Sequence, residues 1–287
     1  MRKVFVIAVI CLAVSYIAPF AFSSESISSE DNIEIESVSQ DRECLGELSI
    51  LMYHNTLAPN KRESVYCINQ NHLRKDFEYL KTHGYNVVSC DYVIRTVKAG
   101  KKLPDKAVVL TFDDGYLNNI KYALPLLEEY GYSGLFSVVG DYTRLDKTNN
   151  PYGGDFTYFG WKDIADANAS NLIEIGLHSY AMHNTKPRLG VGKLKGENGE
   201  QYKKMLSDDT DKLVAELKKI GISSNIYAYP YGKYCIESEE VLKEKGIAMT
   251  LTCNEGKNRI YGPEDLYLLK RYNRDATKSD LSQIGSM

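Results

Sequence analysis

From about Glu47 onward, short apolar runs alternate with longer segments whose apolar residues recur at helical spacing. Residues 49–53, 86–89, 107–112, 134–139, 173–177, 226–229 and 247–252 are brief and largely apolar, as buried parallel strands are. Between them, residues 70–83, 92–99, 118–130, 161–169, 200–220 and 237–245 carry helical patterns. Glycines at 84, 100, 131, 221 and 246 supply helix ends. The alternation predicts an α/β protein with a parallel sheet, closed as a barrel or open and doubly wound. No internal repeat is evident. Residues 141–160 and 186–199 show no period and read either as walls of a cleft or as plain surface loops.

The N-terminus breaks this pattern. Arg2 and Lys3 precede an apolar, uncharged run from Val4 to Phe22. Residues 1–23 therefore predict an export signal or an uncleaved membrane anchor, and 24–46 a polar, acidic linker. The remaining 47–287 predict one catalytic domain, exported or held at the outer face of the cell membrane.

Composition adds little except by exclusion. A net charge of -3 gives no basic excess for nucleic acid. The 22 tyrosines against one tryptophan would suit a sugar cleft, since the ring packs on apolar sugar faces and the hydroxyl bonds sugar hydroxyls. Of six cysteines, five remain beyond the leader, so at least one has no intramolecular partner. Export permits a Cys44–Cys67 bridge, and the absence of any CxxC argues against a cysteine zinc site.

Four sets of polar groups lie at expected strand C-termini, where active sites of parallel α/β folds sit. Asp113-Asp114 follows the run 107–112; two adjacent carboxylates repel unless a cation is near, though a helix cap would look the same. His178 and His183 follow 173–177. Their spacing puts them about 140° apart on a helix, so a strand end and turn must bring them together. Two imidazoles and one carboxylate suit zinc or a similar divalent ion. Tyr229-Pro230-Tyr231-Gly232 forms a stiff turn that could aim a backbone N–H at an oxyanion. His54 ends the first strand and could act as a proton donor or as a simple cap.

TFDDG at 111–115, the later histidine motif and the Pro-Tyr-Gly turn together resemble the polysaccharide deacetylases of the NodB-homology type, carbohydrate esterase family 4. The resemblance spans roughly residues 47–275, and Trp161 ahead of the histidine strand also fits. It implies a distorted (β/α)7-type barrel and a divalent metal, zinc or else cobalt or nickel. The implied reaction is removal of N-acetyl groups from an N-acetylglucosamine polymer. Asp114, His178 and His183 become metal ligands, Asp113 the general base and Tyr231 the oxyanion donor. There are departures. The histidines are five apart where many members have four, Ala228 stands where many carry arginine, and the late Leu-x-His is replaced by Leu268-Leu269-Lys270-Arg271-Tyr272. A subgroup acting on poly-N-acetylglucosamine, the IcaB and PgaB type, shares such departures, which makes His54 the expected acid. An O-acetyl xylan esterase with the same site, or a non-catalytic carbohydrate-binding protein on this fold, are the other readings.

Overall fold

A computed structural model describes residues 42–145, 154–277 and 281 of the chain. The export or anchor segment 1–23 and the linker up to residue 41 lie outside the described residues. The described chain runs β1 (Gly46–Tyr53), β2 (Asn55–Leu57), β3 (Cys67–Asn69), α1 (Gln70–Thr82), β4 (Asn86–Val87), α2 (Cys90–Lys98) and β5 (Ala107–Phe112). It continues with α3 (Leu124–Tyr130), β6 (Gly134–Val138), α4 (Trp161–Asn168), β7 (Ile173–Leu177), α5 (Gly199–Lys219) and β8 (Ile226–Ala228). It ends with α6 (Ile236–Glu244), β9 (Met249–Leu251), β10 (Asn258–Ile260) and β11 (Tyr272–Asn273). Leu45, just ahead of β1, is already buried and hydrogen-bonded through its N–H to Ile260. Among the described residues no helix is long and apolar enough to cross a membrane.

The strands β1-β5-β6-β7-β8-β9 lie side by side, all parallel. Beyond β9, Leu251 bridges in parallel to Leu269, and the chain runs on into β11, which pairs in parallel with β1 at Leu51 and Met52. The path returns to its start, giving a distorted barrel of seven staves. The free edge of β1 is shared: β10 takes Gly46 to Leu48 in antiparallel register, β11 the C-terminal half. One expected strand is displaced from this scheme. Residues 86–89 form only the two-residue flank β4, whereas the stave that closes the barrel lies at 269–273, in the late segment around Leu268–Tyr272 and outside the seven expected apolar runs. A two-residue pairing with a single bridge beside it is too short to show any period.

Alternation sorts the barrel side chains. All six residues of β5 are buried; Val108, Leu110 and Phe112 pack with α1, α3 and α4, while Ala107 and Val109 join Ile50, Leu135, Ala228 and Leu251 on the other face. Each large apolar side chain so buried contributes about 1.5–3 kcal/mol. Helix starts follow their caps: Asn69, Ser89 and Asn198 accept from the N–H of His72, Tyr92 and Gln201. The expected helix over 118–130 divides into a π-helical turn at Asn119–Ala123 and α3. Pro125 is the reason, since it has no N–H for the helical ladder.

The Cys44–Cys67 bridge does not form; both thiols are free. Cys44 precedes β1 and Cys67 lies in β3 beyond its far end, and eight strand residues span about 26 Å. The two aperiodic segments also differ. Gly140–Leu145 and Gly154–Phe156 form short 3₁₀ turns beside the cleft, which Tyr142 and Tyr158 line. Residues 186–199 are mostly exposed or half-buried, but Gly190 and Val191 pack in behind the β8 turn. Val191 is buried, its carbonyl accepts from the Tyr202 hydroxyl at 2.7 Å, and Gly190 (φ 56°) lies where a Cβ would meet the Pro230 carbonyl at 2.4 Å.

Candidate active site

All six side chains singled out in the sequence line one cleft of about 500 Å³: His54, Asp113, Asp114, His178, His183 and Tyr231. His54 follows β1, the aspartates follow β5, His178 follows β7 and Tyr231 follows β8, so parallel packing of the strands brings them to one mouth. Among the described residues six non-glycine positions have positive φ, and three of them stand here: Asp114 (72°), Ser179 (67°) and Tyr231 (57°). Left-handed backbone at non-glycine residues is unfavourable, and it collects where a fold aims side chains at a site.

Asp114 Oδ1 faces His183 Nε2 at 3.0 Å and His178 Nε2 at 3.4 Å. One donor atom from each of the three lies within 4.8 Å of the others. The rear nitrogens are occupied: His178 Nδ1 is 2.7 Å from the Ala228 carbonyl, and His183 Nδ1 is 2.9 Å from the Tyr142 hydroxyl. With the ring hydrogens on Nδ1, two bare imidazole nitrogens and a carboxylate oxygen converge with no hydrogen between them. A divalent cation satisfies such a donor set, and rear hydrogen bonding of this kind is the usual support of metal-bound histidine. The electrostatics agree. Burial alone would push Asp114 up, yet the two histidines hold it well below the ordinary carboxylate range. Burial would likewise push His178 down, but the charges of Asp113 and Asp114 outweigh it and hold the pKa above its usual value. The pocket thus favours positive charge at this spot.

Asp113 has a different partner. Arg271 donates to it through both terminal nitrogens, at 2.9 and 2.8 Å, and both side chains are almost fully buried. The rest of the guanidinium is also engaged, with Nε donating to the Thr252 carbonyl and a terminal nitrogen to Thr111 Oγ1. Burial favours the neutral acid, but Arg271, backed by His178 and His54, holds Asp113 below the ordinary carboxylate range. Arg271 was noticed in the sequence only for the histidine it displaces. An arginine is absent at Ala228, and one reaches the site from the closing stave instead. No local motif could signal this, because residues 113 and 271 meet only when the barrel closes.

His54 lies edge-on to Tyr66, ring centroids 4.9 Å apart. Burial pushes its pKa below the ordinary value, and the nearby Asp114 and Asp113 only partly restore it. Asn119, in the π-helical turn, accepts from the Thr56 N–H at 3.0 Å and donates to the His54 carbonyl at 2.7 Å, which clamps this strand end. The Pro230 turn leaves the Tyr231 N–H without an acceptor among the described residues. Tyrosines build one wall: Tyr116 stacks on Tyr158, Tyr158 packs at a tilt against Tyr142, and the Tyr142 and Tyr231 rings pack against His183. Tyr66, 60% exposed, stands on the other side. The tyrosine excess hinted at such walls without naming members. Met52, Cys253 and Asn273 also line the cleft and had no sequence signal. Trp161 lies outside it, packed against the outer core at the start of α4.

The chain is similar to several known proteins. The chain is 26% identical over 227 residues to the poly-beta-1,6-N-acetyl-D-glucosamine N-deacetylase of Escherichia coli strain K12. That match covers 72% of this chain and 34% of the relative, so the chain spans about a third of that protein's length. Among solved structures, IcaB from Ammonifex degensii superposes with a TM-score of 0.65 at 25% identity, over 79% of this chain and 91% of that one. A de-N-acetylase from Aggregatibacter actinomycetemcomitans has the same fold, with a TM-score of 0.69 at 24% identity over 83% of this chain and 98% of that one. Residues 100–250 match the family model for polysaccharide deacetylase, and the chain belongs to that family.

Proposed function

We propose that this domain hydrolyses the N-acetyl groups of an N-acetylglucosamine polymer, releasing acetate. One observation carries the reading. Two neighbouring carboxylates serve one cleft with different partners, Asp114 against two imidazoles and Asp113 locked to Arg271. A binding protein has no need to keep both ionised in a buried pocket, while metal-assisted hydrolysis needs a ligand and a base. The polymer is taken from the E. coli relative's activity, and the tyrosine walls suit sugar rings.

Asp114, His178 and His183 would hold a divalent ion, for which zinc suits the N/O donor set, with cobalt and nickel also compatible. When bound, such an ion polarises a carbonyl and acidifies water. Asp113, kept ionised by Arg271, takes the proton of the attacking water. The Tyr231 N–H, fixed by the Pro230 turn, donates to the oxygen that gains charge. His54 then delivers a proton to the departing amine. Its lowered pKa makes the imidazolium a strong donor once formed. Export through residues 1–23, with or without retained membrane attachment, would place the domain beside extracellular glycan.

The deciding experiment is acetate release from β-1,6-linked N-acetylglucosamine oligomers, beside acetylated xylan, before and after chelation and zinc return. Release from the amide substrate that chelation abolishes supports the proposal; release only from xylan makes the protein an O-acetyl esterase. Sugar binding without release from either would make it a carbohydrate-binding module. His54→Ala should lose far more rate on the amide than on an activated acetyl ester, whose leaving group needs no proton. Equal losses on both would remove His54 from the acid role.

A further inference from the structure

We propose that Tyr142 is a positioning residue for the metal centre, fixing the His183 ring so that Nε2 presents a bare lone pair to the ion; this rests on reading Asp114, His178 and His183 as ligands. The Tyr142 hydroxyl reaches two atoms of the same residue, His183 Nδ1 at 2.9 Å and the His183 carbonyl at 3.3 Å. With Nε2 reserved for the ion, 3.0 Å from Asp114, the ring hydrogen sits on Nδ1 and the phenol oxygen accepts it. The phenol hydrogen is then left for the His183 carbonyl, which can only accept, so both contacts are satisfied in this one tautomer.

The two histidines reach the same tautomer by different routes. For His178 the acceptor is main chain, the Ala228 carbonyl of β8, which substitution cannot remove. For His183 it is a side chain on the turn after β6. That turn is bolted to the loop it serves. The Gly140 N–H donates to the Ser179 carbonyl at 3.1 Å and the Asp141 N–H to the Tyr180 carbonyl at 2.6 Å. Gly140 admits no side chain, because a Cβ would lie 2.3 Å from the Tyr180 ring. Thr143 Oγ1 donates to the Gly140 carbonyl at 2.7 Å, and the Tyr142 ring packs on Tyr158 at 4.5 Å between centroids. On the far side, Asp209 of α5 accepts from the N–H groups of Tyr180 and Ala181 at 2.7 and 2.8 Å. The hydroxyl is therefore held in register with His183 by the backbone that carries His183.

Tyr142→Phe deletes the hydroxyl and keeps the ring, so it separates this role from stacking against sugar. Metal-free wild type and variant should be titrated with zinc and with cobalt against a competing chelator, and melted without metal. The expected result is a Kd weakened about 10- to 100-fold, the usual range for losing an outer partner of a ligand histidine. An altered visible spectrum of the cobalt form and an unchanged metal-free Tm should accompany it. Wild-type Kd and cobalt spectrum in the variant would overturn the proposal. So would nitrogen NMR of the wild-type protein that finds the His183 proton on Nε2, a readout independent of whether the variant folds. Failure of the wild type itself to take up either metal would instead remove the ligand reading beneath it.

Discussion

Two arginines three residues apart on the closing stave, Arg271 and Arg274, each make a bidentate buried pair with an aspartate, yet only one pair belongs to the cleft. Arg274 holds Asp76 of α1 at 2.8 and 3.0 Å, and the same carboxylate accepts from the Tyr53 hydroxyl at 3.2 Å. His72 joins from Arg274 on to Glu63. That network ties the last strand to the first helix. Arg271 reaches the other way, to Asp113 and Thr111 at the mouth. Burial acts on both carboxylates. At Asp76 it outweighs Arg274 and His72 and the pKa rises; at Asp113, Arg271 with His178 and His54 outweighs it and the pKa falls. A buried pair with arginine therefore does not by itself set the direction of a carboxylate's shift; the balance of burial against all its charged neighbours does.

The sharpest test of this contrast is Asp113→Asn against Asp76→Asn. Removing the base should lower kcat/KM by about 10²- to 10⁴-fold, with zinc content unchanged by metal analysis. The Asp76 variant should keep its turnover and lose stability; comparable activity losses in both would erase the distinction. Next, Arg274→Met strands a buried carboxyl and should cost about 3–5 kcal/mol of unfolding free energy in a denaturant titration. Smaller again is Arg271→Lys, which cannot make the two-pronged contact and should lose roughly tenfold in rate, the scale of one charge-assisted hydrogen bond. Its sign with pH can be worked out. Asp113 now titrates below the ordinary carboxylate range, so the base is ionised at every pH above that. Weakening the guanidinium contact lets burial raise the pKa, and the acid limb of kcat/KM should move to higher pH. A limb that stays put would mean that Arg271 does not govern Asp113.

Much of the site was legible because it lies on local punctuation. Asp113, Asp114, His178 and Tyr231 each end a short apolar run, and a parallel sheet puts all such ends on one side. His54 ends the first strand in the same way, and His183 came from its place in the turn after His178. The same logic failed where the signal was weak or distant. Residues 86–89 had the composition of a stave and are only a flank, whereas 269–273 close the barrel from a segment with mixed polarity. The continuous helix over 118–130 was a period reading that Pro125 overrode, and the resulting π-helical turn places Asn119 against the His54 backbone.

What the sequence determined by itself was the α/β alternation and the placement of six candidate side chains at or just beyond strand ends. These follow from period, punctuation and side-chain chemistry, all of which act within a few residues. Tertiary structure alone decided which arginine holds Asp113, which hydroxyl backs His183, which tyrosines wall the cleft and that Cys44 and Cys67 stand apart. Those partners are separated by tens to more than a hundred positions in the chain. They meet because burial closes the barrel, and closure is a property of the whole sheet that no short stretch of residues encodes.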